Sequence, residues 1–475
     1  MGKNQLMKKS VLFFTLILTL FFAVSGKPGQ PLSVALTGQY PPFSFYDGRG
    51  EVRGFDVDIS NAIAEKLGLE LQIITTEWDG ILAGLLANRY DAIIGSMAIT
   101  PQRAERVLFS DPYYISGAQF FIHEENRQDI RSVSDLKSRR VGVVLGETFE
   151  HYLREHHPEI EVVTYRSTVD IFQDMHNRRI DAFLSDRLVG LYQVNSAEMP
   201  FVPAGDLLYE ERMGIPVRKD NPELHGDINA ALHELQREGI LEQIHSKWFG
   251  PQSSGHTSDI TTRTVVSMLI KGFSTTIQVA LLSLVFGLLL AIPAGVLLHS
   301  EPKFWYSVVR GITDFIRGTP VLIQLFFIYF GAPQLGISLS PVTSAVITLT
   351  INSAAYMSEV IRSGLISVDQ GQAFAARALG LNRLQQFTYV IWPQAFRIAL
   401  PPLVNSSVAL LKDTALVSVI SVSEVIREAQ SIISVTFDPM RYYFAVAIMF
   451  FVFTYPLMRL AGRIERNLKS KGFSV

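Results

Sequence analysis

The feature that most constrains this chain is a change of residue type near position 250. Up to Trp248 the sequence mixes charged, polar and apolar residues, whereas after Thr264 it consists mainly of long apolar stretches. About 20 consecutive apolar residues are enough for a helix to cross a bilayer. The chain therefore joins a soluble domain to a membrane domain, and the short polar segment 251–263 is predicted to be a linker.

Composition excludes several other classes of protein. The formal net charge of −2 gives no electrostatic case for binding nucleic acid. The absence of cysteine excludes disulfides, thiolate metal sites, a cysteine nucleophile and a lipid anchor on an N-terminal cysteine. The histidines at 151, 156 and 157 lack the i, i+4 spacing typical of zinc sites, so no metal site is predicted.

The N-terminus predicts the compartment. Lys8 and Lys9 precede the apolar run 11–24, and small residues at 23–26 suit cleavage. This pattern predicts a signal peptide over 1–26, with an uncleaved membrane anchor as the alternative. Either interpretation places the following domain outside the cytoplasm.

The soluble region 31–250 alternates short β-branched runs with amphipathic helical stretches. Two similar βα units end at 88–94 and at 177–184, which suggests two related lobes. The pattern predicts an α/β domain with mainly parallel sheets.

Six motifs in this region, taken in order, resemble the polar amino-acid type of periplasmic solute-binding protein over the whole span 31–250. They lie at 40–45, 54–58, 78–82, 99–103, 109–114 and 184–186. The resemblance implies a bilobed fold whose lobes close around a ligand by a hinge motion. The implied boundaries are 31–118 and 213–250 for lobe one, 119–212 for lobe two, and 119–123 and 213–216 for the hinge.

The same resemblance implies a binding site for a free amino acid. Its residues are Tyr40, Phe43, Trp78, Ser96, Ala98, Arg103, Thr148 and Asp186. Arg103 would bind both carboxylate oxygens, and Thr148 would add a backbone N–H from the other lobe. Asp186 would accept from the ammonium group with help from Ser96 and the carbonyl of Ala98. Trp78, with Tyr40 or Phe43, would flank the ligand side chain.

Each of these residues also has a plainer interpretation. Arg103 alone could be a solvated helix-start residue, Asp186 a helix cap, and the aromatic residues part of the core. Ala98 and Glu147 depart from the family pattern, and Glu147 could face a cationic ligand or be solvated. A polar or basic amino acid is therefore favoured without being fixed.

The second half contains five apolar segments of spanning length. They run approximately over 275–298, 320–339, 341–360, 398–420 and 442–460. With residue 260 outside, nearly all loop arginines and lysines fall inside, and the outside loops carry only Arg427 and Arg441. This distribution satisfies the positive-inside rule and predicts a multi-pass cytoplasmic-membrane protein.

The long inside loop at 371–380 resembles the coupling loop of ABC importer permeases, and the resemblance extends over roughly 272–466. The coupling residues that it implies are Gly371, Gln372, Ala375, Ala376 and Gly380. Phe374 stands where the family usually has an acidic residue. A short helix bearing small residues can seat in a partner's groove and transmit its movement.

The sequence contains no Gly-x-x-x-x-Gly-Lys-Ser/Thr motif, so no phosphate cradle for ATP is encoded and this chain is predicted to hold no cofactor. ATP and Mg²⁺ would bind a separate ATPase subunit. The predicted architecture is a bilobed α/β periplasmic-binding-protein fold followed by an all-α permease domain, 264–475, of about five helices, as in type I ABC importers. The predicted function is import of polar or basic amino acids, with two copies of the chain per transporter. The alternatives are a membrane-tethered amino-acid receptor, a ligand-gated channel, or an enzyme on the same bilobed scaffold.

Overall fold

The computed structural model describes residues 31–47, 49–196, 199–249, 260–299, 303–337, 339–436 and 438–470. The predicted signal peptide, 1–26, and most of the predicted linker, 251–263, lie outside these residues. Within them, the soluble half contains sheets and helices, and the second half is helical.

The strands of the described residues all lie before residue 219. They are β1 Leu32–Leu36, β2 Gln39–Tyr40, β3 Ser44–Tyr46, β4 Val52–Arg53, β5 Leu71–Thr75, β6 Ala92–Ile93, β7 Val107–Phe109, β8 Tyr114–His123, β9 Arg140–Val144, β10 Glu161–Tyr165, β11 Ala182–Asp186, β12 Phe201–Ala204, β13 Glu210–Met213 and β14 Pro216–Arg218.

The α-helices of the soluble half mostly follow these strands. They are α1 Phe55–Leu67, α2 Trp78–Leu86, α3 Pro101–Ala104, α4 Thr148–His156, α5 Thr168–His176, α6 Arg187–Ser196, α7 Pro222–Arg237 and α8 Ile240–Phe249. Short 3-10 helices lie at Glu124–Asn126 and Val133–Leu136.

The two main sheets form two lobes. Lobe one is built on the strand order β5-β1-β6-β14-β7, in which β1 pairs in parallel with β5 and β6, and β14 is antiparallel to its neighbours. Lobe two has the order β10-β9-β11-β8-β12. A small antiparallel sheet, β2-β3-β4, adds to lobe one. Because β14 returns to the first sheet, the chain enters lobe two and comes back.

Two antiparallel strands connect the lobes. The first half of β8 pairs with β13, so that Ser116 lies opposite Glu211 and Tyr114 opposite Met213. From Ala118 onward, β8 joins the lobe-two sheet. The crossing therefore begins slightly before the predicted hinge segments, and it places the Glu211 carboxyl at the junction between the lobes.

The end of the soluble half is fixed to lobe one. The Trp248 side chain is buried at the end of α8, and its indole N–H donates to Asp58 Oδ2 of α1 at 2.7 Å. Lys247 donates to the same oxygen at 2.6 Å. The chain thus leaves the soluble domain from lobe one.

The α-helices of the second half are long or paired with short irregular turns. They are α9 Thr262–His299, α10 Lys303–Arg317, α11 Val321–Phe326, α12 Pro341–Ile366, α13 Gln370–Ala378, α14 Arg383–Gln385, α15 Trp392–Asp413, α16 Val425–Thr436 and α17 Pro439–Ser470. Irregular helical turns occur at Phe327–Gly331, Ala332–Leu335, Gln386–Ile391 and Thr414–Ile420.

By length and apolar character, three helical segments of the described residues can cross a membrane: Thr262–His299, Arg383–Ile420 and Pro439–Leu468. A fourth would be the pair Phe304–Arg317 and Val321–Gly331, which is bent by 103°. The predicted span 341–360 lies within α12, whose threonine, serine and asparagine residues lower its apolar character. Thr348 and Asn352 are nevertheless buried, because α12 packs against α9 and α15.

The two halves pack directly on each other. The first turns of α9 carry Val265, Met268 and Leu269, which form one apolar cluster with Val169 of lobe two. Gly50 of lobe one lies against the same helix, since a methyl group added to it would come within 3.3 Å of the Met268 sulphur. Both lobes therefore contact the membrane domain.

Candidate functional site

A cavity with an empty volume of about 600 Å³, including space open to solvent, lies in the cleft between the lobes. Six of the eight predicted ligand residues line it: Tyr40, Trp78, Ser96, Ala98, Arg103 and Thr148. Five of the lining residues are charged, Arg103 among them: Glu77, Arg103, Glu147, Arg166 and Glu211. Six of the predicted residues therefore lie together in the cleft, whereas Glu77, Arg166 and Glu211 were not predicted to line it.

Arg103 spans the cleft. Helix α3 begins at Pro101, and the Thr100 hydroxyl accepts from the Arg103 N–H at 3.2 Å, which fixes the backbone there. The guanidinium donates from Nη1 to the Ala98 carbonyl of lobe one at 3.1 Å and from Nη2 to the Gly146 carbonyl of lobe two at 3.3 Å. It also lies 5.7 Å from the centre of the Trp78 ring. A guanidinium has five N–H donors, so donors remain for a carboxylate.

Two carboxyl groups face Arg103 across the cavity. Burial raises the pKa of Glu147 to about 8, with a further increase from Glu211 and an opposing effect from Arg103. Burial also raises the pKa of Glu211, again opposed by Arg103. Burial lowers the pKa of Arg103, and the same two carboxylates counteract this. Burial thus disfavours the ionised form of both carboxyl groups, and an added cation would favour it.

Thr148 begins α4 directly after Glu147. Gly146 has a φ of +78°, a left-handed conformation that glycine adopts without strain, and its N–H donates to Glu150 Oε2 at 2.9 Å. This turn directs the start of the helix at the cavity. Backbone N–H groups at such a start favour an anion, which fits the proposed carboxylate contact.

Asp186 is buried at the end of β11 and is absent from the residues that line the cavity. Its Oδ1 accepts from Ser116 Oγ and from the Leu188 N–H, both at 2.7 Å. Its Oδ2 has no hydrogen-bond partner among the described residues. Burial raises the pKa of Asp186 to about 6, although the hydrogen bond from Ser116 lowers it. Reaching a ligand would require the cleft to rearrange near Tyr40.

Phe43 and Ser96 serve the structure around the site. Phe43 has no exposed surface, and its ring stacks between Tyr40 and Tyr114 with centroids 5.5 and 5.1 Å away. It therefore supports Tyr40 and is absent from the cavity lining. Ser96 does line the cavity, but its hydroxyl donates to Asp56 Oδ2 at 2.8 Å, which leaves it available only as an acceptor.

Glu211 was not among the predicted ligand residues, although the sequence pattern of β13 indicates that it faces inward. In β13 the side chains alternate, with Glu211 and Met213 buried and Glu210 and Arg212 exposed. A glutamate on the same face as a buried methionine is an inward-facing charge. The lining residue Arg166 gave no such signal, because it is an exposed residue that follows a strand.

The predicted coupling segment forms helix α13 on the surface. Asp369 caps it by accepting from the Gly371 N–H at 2.6 Å, and Gly380, with a φ of +79°, follows its end. Of the five predicted coupling residues, Ala376 is buried, whereas the other four are exposed: Gly371, Gln372, Ala375 and Gly380. Phe374 is also exposed, at 62%. One face of this helix is thus anchored and the other is free to meet a partner.

Comparison with known proteins accounts for both halves. Residues 32–251 match the bacterial extracellular solute-binding proteins, family 3. Residues 283–470 match the inner membrane component of binding-protein-dependent transport systems. An L-cystine-binding protein of Escherichia coli is 37% identical over 219 residues, which cover 46% of this chain and 82% of the relative. The chain belongs to the ABC-type amino-acid importers.

Two further relatives support this family assignment. A putative ABC transporter arginine-binding protein 2 of Escherichia coli is 31% identical over 233 residues. The match covers 48% of this importer chain and 94% of the relative. The glutamine transport system permease protein of Escherichia coli is 36% identical over 206 residues, covering 43% of this chain and 94% of the relative. The importer chain is thus a binding domain fused to a permease domain. It is a transporter subunit and not an enzyme.

The family assignment also confirms the predicted location. The importer chain is a multi-pass protein of the inner membrane, and its solute-binding domain lies outside the cytoplasm. As an ABC importer it works with an amino-acid ligand and an ATPase subunit.

Proposed function

We propose that the binding domain captures an amino acid that carries a second cationic group, with L-arginine as the representative ligand. The observation that carries this proposal is the charge balance of the cavity. Glu147 and Glu211 line it opposite one inner guanidinium, that of Arg103, while Arg166 is exposed at its edge. The ionised form of these carboxyl groups needs a compensating cation, which a ligand with only one ammonium group would supply incompletely.

The ligand would bind with its carboxylate at Arg103 and at the start of α4. Its side-chain cation would lie between Glu147 and Glu211, and the Trp78 ring would pack against the side chain. The α-ammonium would reach the Ala98 carbonyl and, after rearrangement near Tyr40, Asp186. Because these contacts come from both lobes, binding would favour the closed cleft.

L-Cystine is the second candidate ligand. It also carries two ammonium groups, and it adds a second carboxylate that the exposed Arg166 at the cavity edge could bind. The named ligands of two relatives, L-cystine and arginine, both have two cationic groups. This shared chemistry supports the proposed ligand class.

A calorimetric screen of the full chain in lipid nanodiscs tests the proposal. L-Arginine, L-lysine, L-cystine and L-glutamine are titrated separately, and binding of L-arginine or L-cystine at least about tenfold tighter than L-glutamine is expected. Arg166→Gln should weaken L-cystine binding and leave L-arginine binding unchanged. Tightest binding of L-glutamine would contradict the assignment.

We infer that transport requires two copies of this chain and a separate ATPase that binds ATP and Mg²⁺. The exposed face of α13, with Ala375 and Phe374, would seat on that ATPase. Mass photometry of the nanodisc complex should give a particle that contains two chains. A particle that contains a single chain and still shows ligand-stimulated ATP hydrolysis would refute the dimer.

A further inference from the structure

Arg427 is a basic residue of the outside loops that is buried instead of exposed. It is one of two basic residues in the outside loops, yet only 1% of its surface is exposed. It lies in the first turn of α16, where its backbone N–H donates to Glu424 Oε1 at 2.9 Å. A buried guanidinium on the outer side of a membrane domain requires a specific partner.

The hydrogen-bond partners of the Arg427 guanidinium belong to the solute-binding domain. Its Nη1 is hydrogen-bonded to Glu77 Oε1, and its Nη2 donates to the Thr37 carbonyl at 3.0 Å. Glu77 and Thr37 both line the ligand cavity. Glu77 directly precedes α2, which begins with Trp78, so the membrane domain holds the segment that positions a proposed ligand-contacting ring.

The same side of the membrane domain also contacts lobe two. Val169 packs in the apolar cluster with Met268, and the two residues before it, Ser167 and Thr168, line the cavity. The membrane domain thus touches a cavity edge on each lobe. Any change in the separation of the lobes must alter one of these contacts.

We propose that Arg427 is the positioning residue through which the membrane domain responds to the state of the cleft. This inference rests on the proposed function of the cleft. Through Glu77 and Thr37, Arg427 fixes the lobe-one edge, and it makes docking of the binding domain depend on ligand occupancy. By linkage, docking changes ligand affinity by the same factor.

A single cysteine reports docking without background, because the chain contains none. Val169→Cys places a thiol at a position where only 4% of the native residue is exposed, away from the Arg427 contact. The full chain is reconstituted in lipid nanodiscs, and labelling by a polar maleimide is timed. The ligand probe is an equimolar mixture of the common amino acids other than L-cysteine, together with L-cystathionine, the thioether analogue of L-cystine. A free thiol would consume the maleimide, and a disulfide would exchange with the reporter thiol.

In this background, Arg427→Gln is expected to speed labelling about tenfold, less than for a fully buried pair because the Glu77 side chain retains 15% exposure. Arg427→Lys should restore part of the protection, since an ammonium can still pair with Glu77. Arg441→Gln, on the same side of the membrane but exposed, is the matched control and should label like the parent.

The amino-acid mixture separates linkage from simple anchoring. It should slow labelling of the parent about fivefold and have no effect in Arg427→Gln. Calorimetry on the same samples verifies that the variant still binds amino acids and is therefore folded. Equal labelling of parent and Arg427→Gln, no response of the parent to the mixture, or a ligand response that persists in the variant would each overturn the proposal. An error in the ligand class would instead change only which component of the mixture acts.

Discussion

The raised pKa of Glu147 predicts that binding of a cationic amino acid releases a proton. With a pKa of about 8, Glu147 is mostly protonated at pH 7 in the free protein. A ligand cation beside it favours the ionised form and lowers this pKa. Binding must therefore displace the proton below pH 8, so affinity is expected to rise with pH.

The size of the effect follows from the fraction of ionised Glu147. For a pKa of about 8, that fraction is about 1% at pH 6 and about one half at pH 8. Affinity for L-arginine should then increase up to about fiftyfold over this range, which corresponds to about 2 kcal/mol. The raised pKa of Glu211 acts in the same direction. Above pH 9 the contribution of Glu147 should level off.

Isothermal titration of the full chain in nanodiscs measures both consequences. Affinity is followed from pH 6 to pH 8, and the enthalpy at pH 7 is compared in buffers with different ionisation enthalpies to count released protons. Glu147→Gln should remove most of the pH slope and weaken binding at pH 8. The control is Glu155→Gln, an exposed residue on the same helix. An affinity constant within twofold across this range, with no buffer-dependent enthalpy, would refute the reasoning.

Three further predictions concern the other assigned residues. Arg103→Lys should weaken L-arginine binding by about 2–3 kcal/mol, because an ammonium cannot form the paired contact to a carboxylate; near-native affinity by calorimetry would remove Arg103 from the site. Asp186→Asn should weaken binding about tenfold or more if Asp186 reaches the α-ammonium, and unchanged affinity would leave it a purely structural residue. Deleting 371–380 should preserve ligand binding but abolish ligand-stimulated ATP hydrolysis with the ATPase subunit in liposomes, and retained stimulation would exclude α13 as the coupling element.

The sequence predicted the two-domain architecture because its signals are local. Long apolar stretches and β-branched runs depend on nearby residues alone, and the family motifs then implied the bilobed fold. The site was harder to predict because it combines segments far apart in sequence. Arg103 and Gly146 meet only when the lobes come together, and no local pattern records that contact.

Roles within the motif were harder still. Tyr40 and Phe43 lie three residues apart in the same aromatic motif, yet one lines the cavity and the other is fully buried beneath it. Ser96 has a hydroxyl suited to a ligand, but this hydroxyl donates its hydrogen bond to Asp56, 40 positions away in the sequence. Such differences arise from packing between distant segments, which a single sequence does not specify.

The length of α9 gives the domain arrangement a rotational constraint. Its 38 residues extend about 57 Å, whereas the apolar core of a bilayer is about 30 Å thick. The turns that carry Met268 therefore form the outer end of this helix, and its other end lies within the membrane domain. One residue inserted between Met268 and the membrane would turn that end by about 100° and move Met268 away from Val169 and Gly50, whereas seven residues, about two turns, would nearly restore its direction. The contact between the domains therefore fixes the rotation of this helix about its own axis as well as its length.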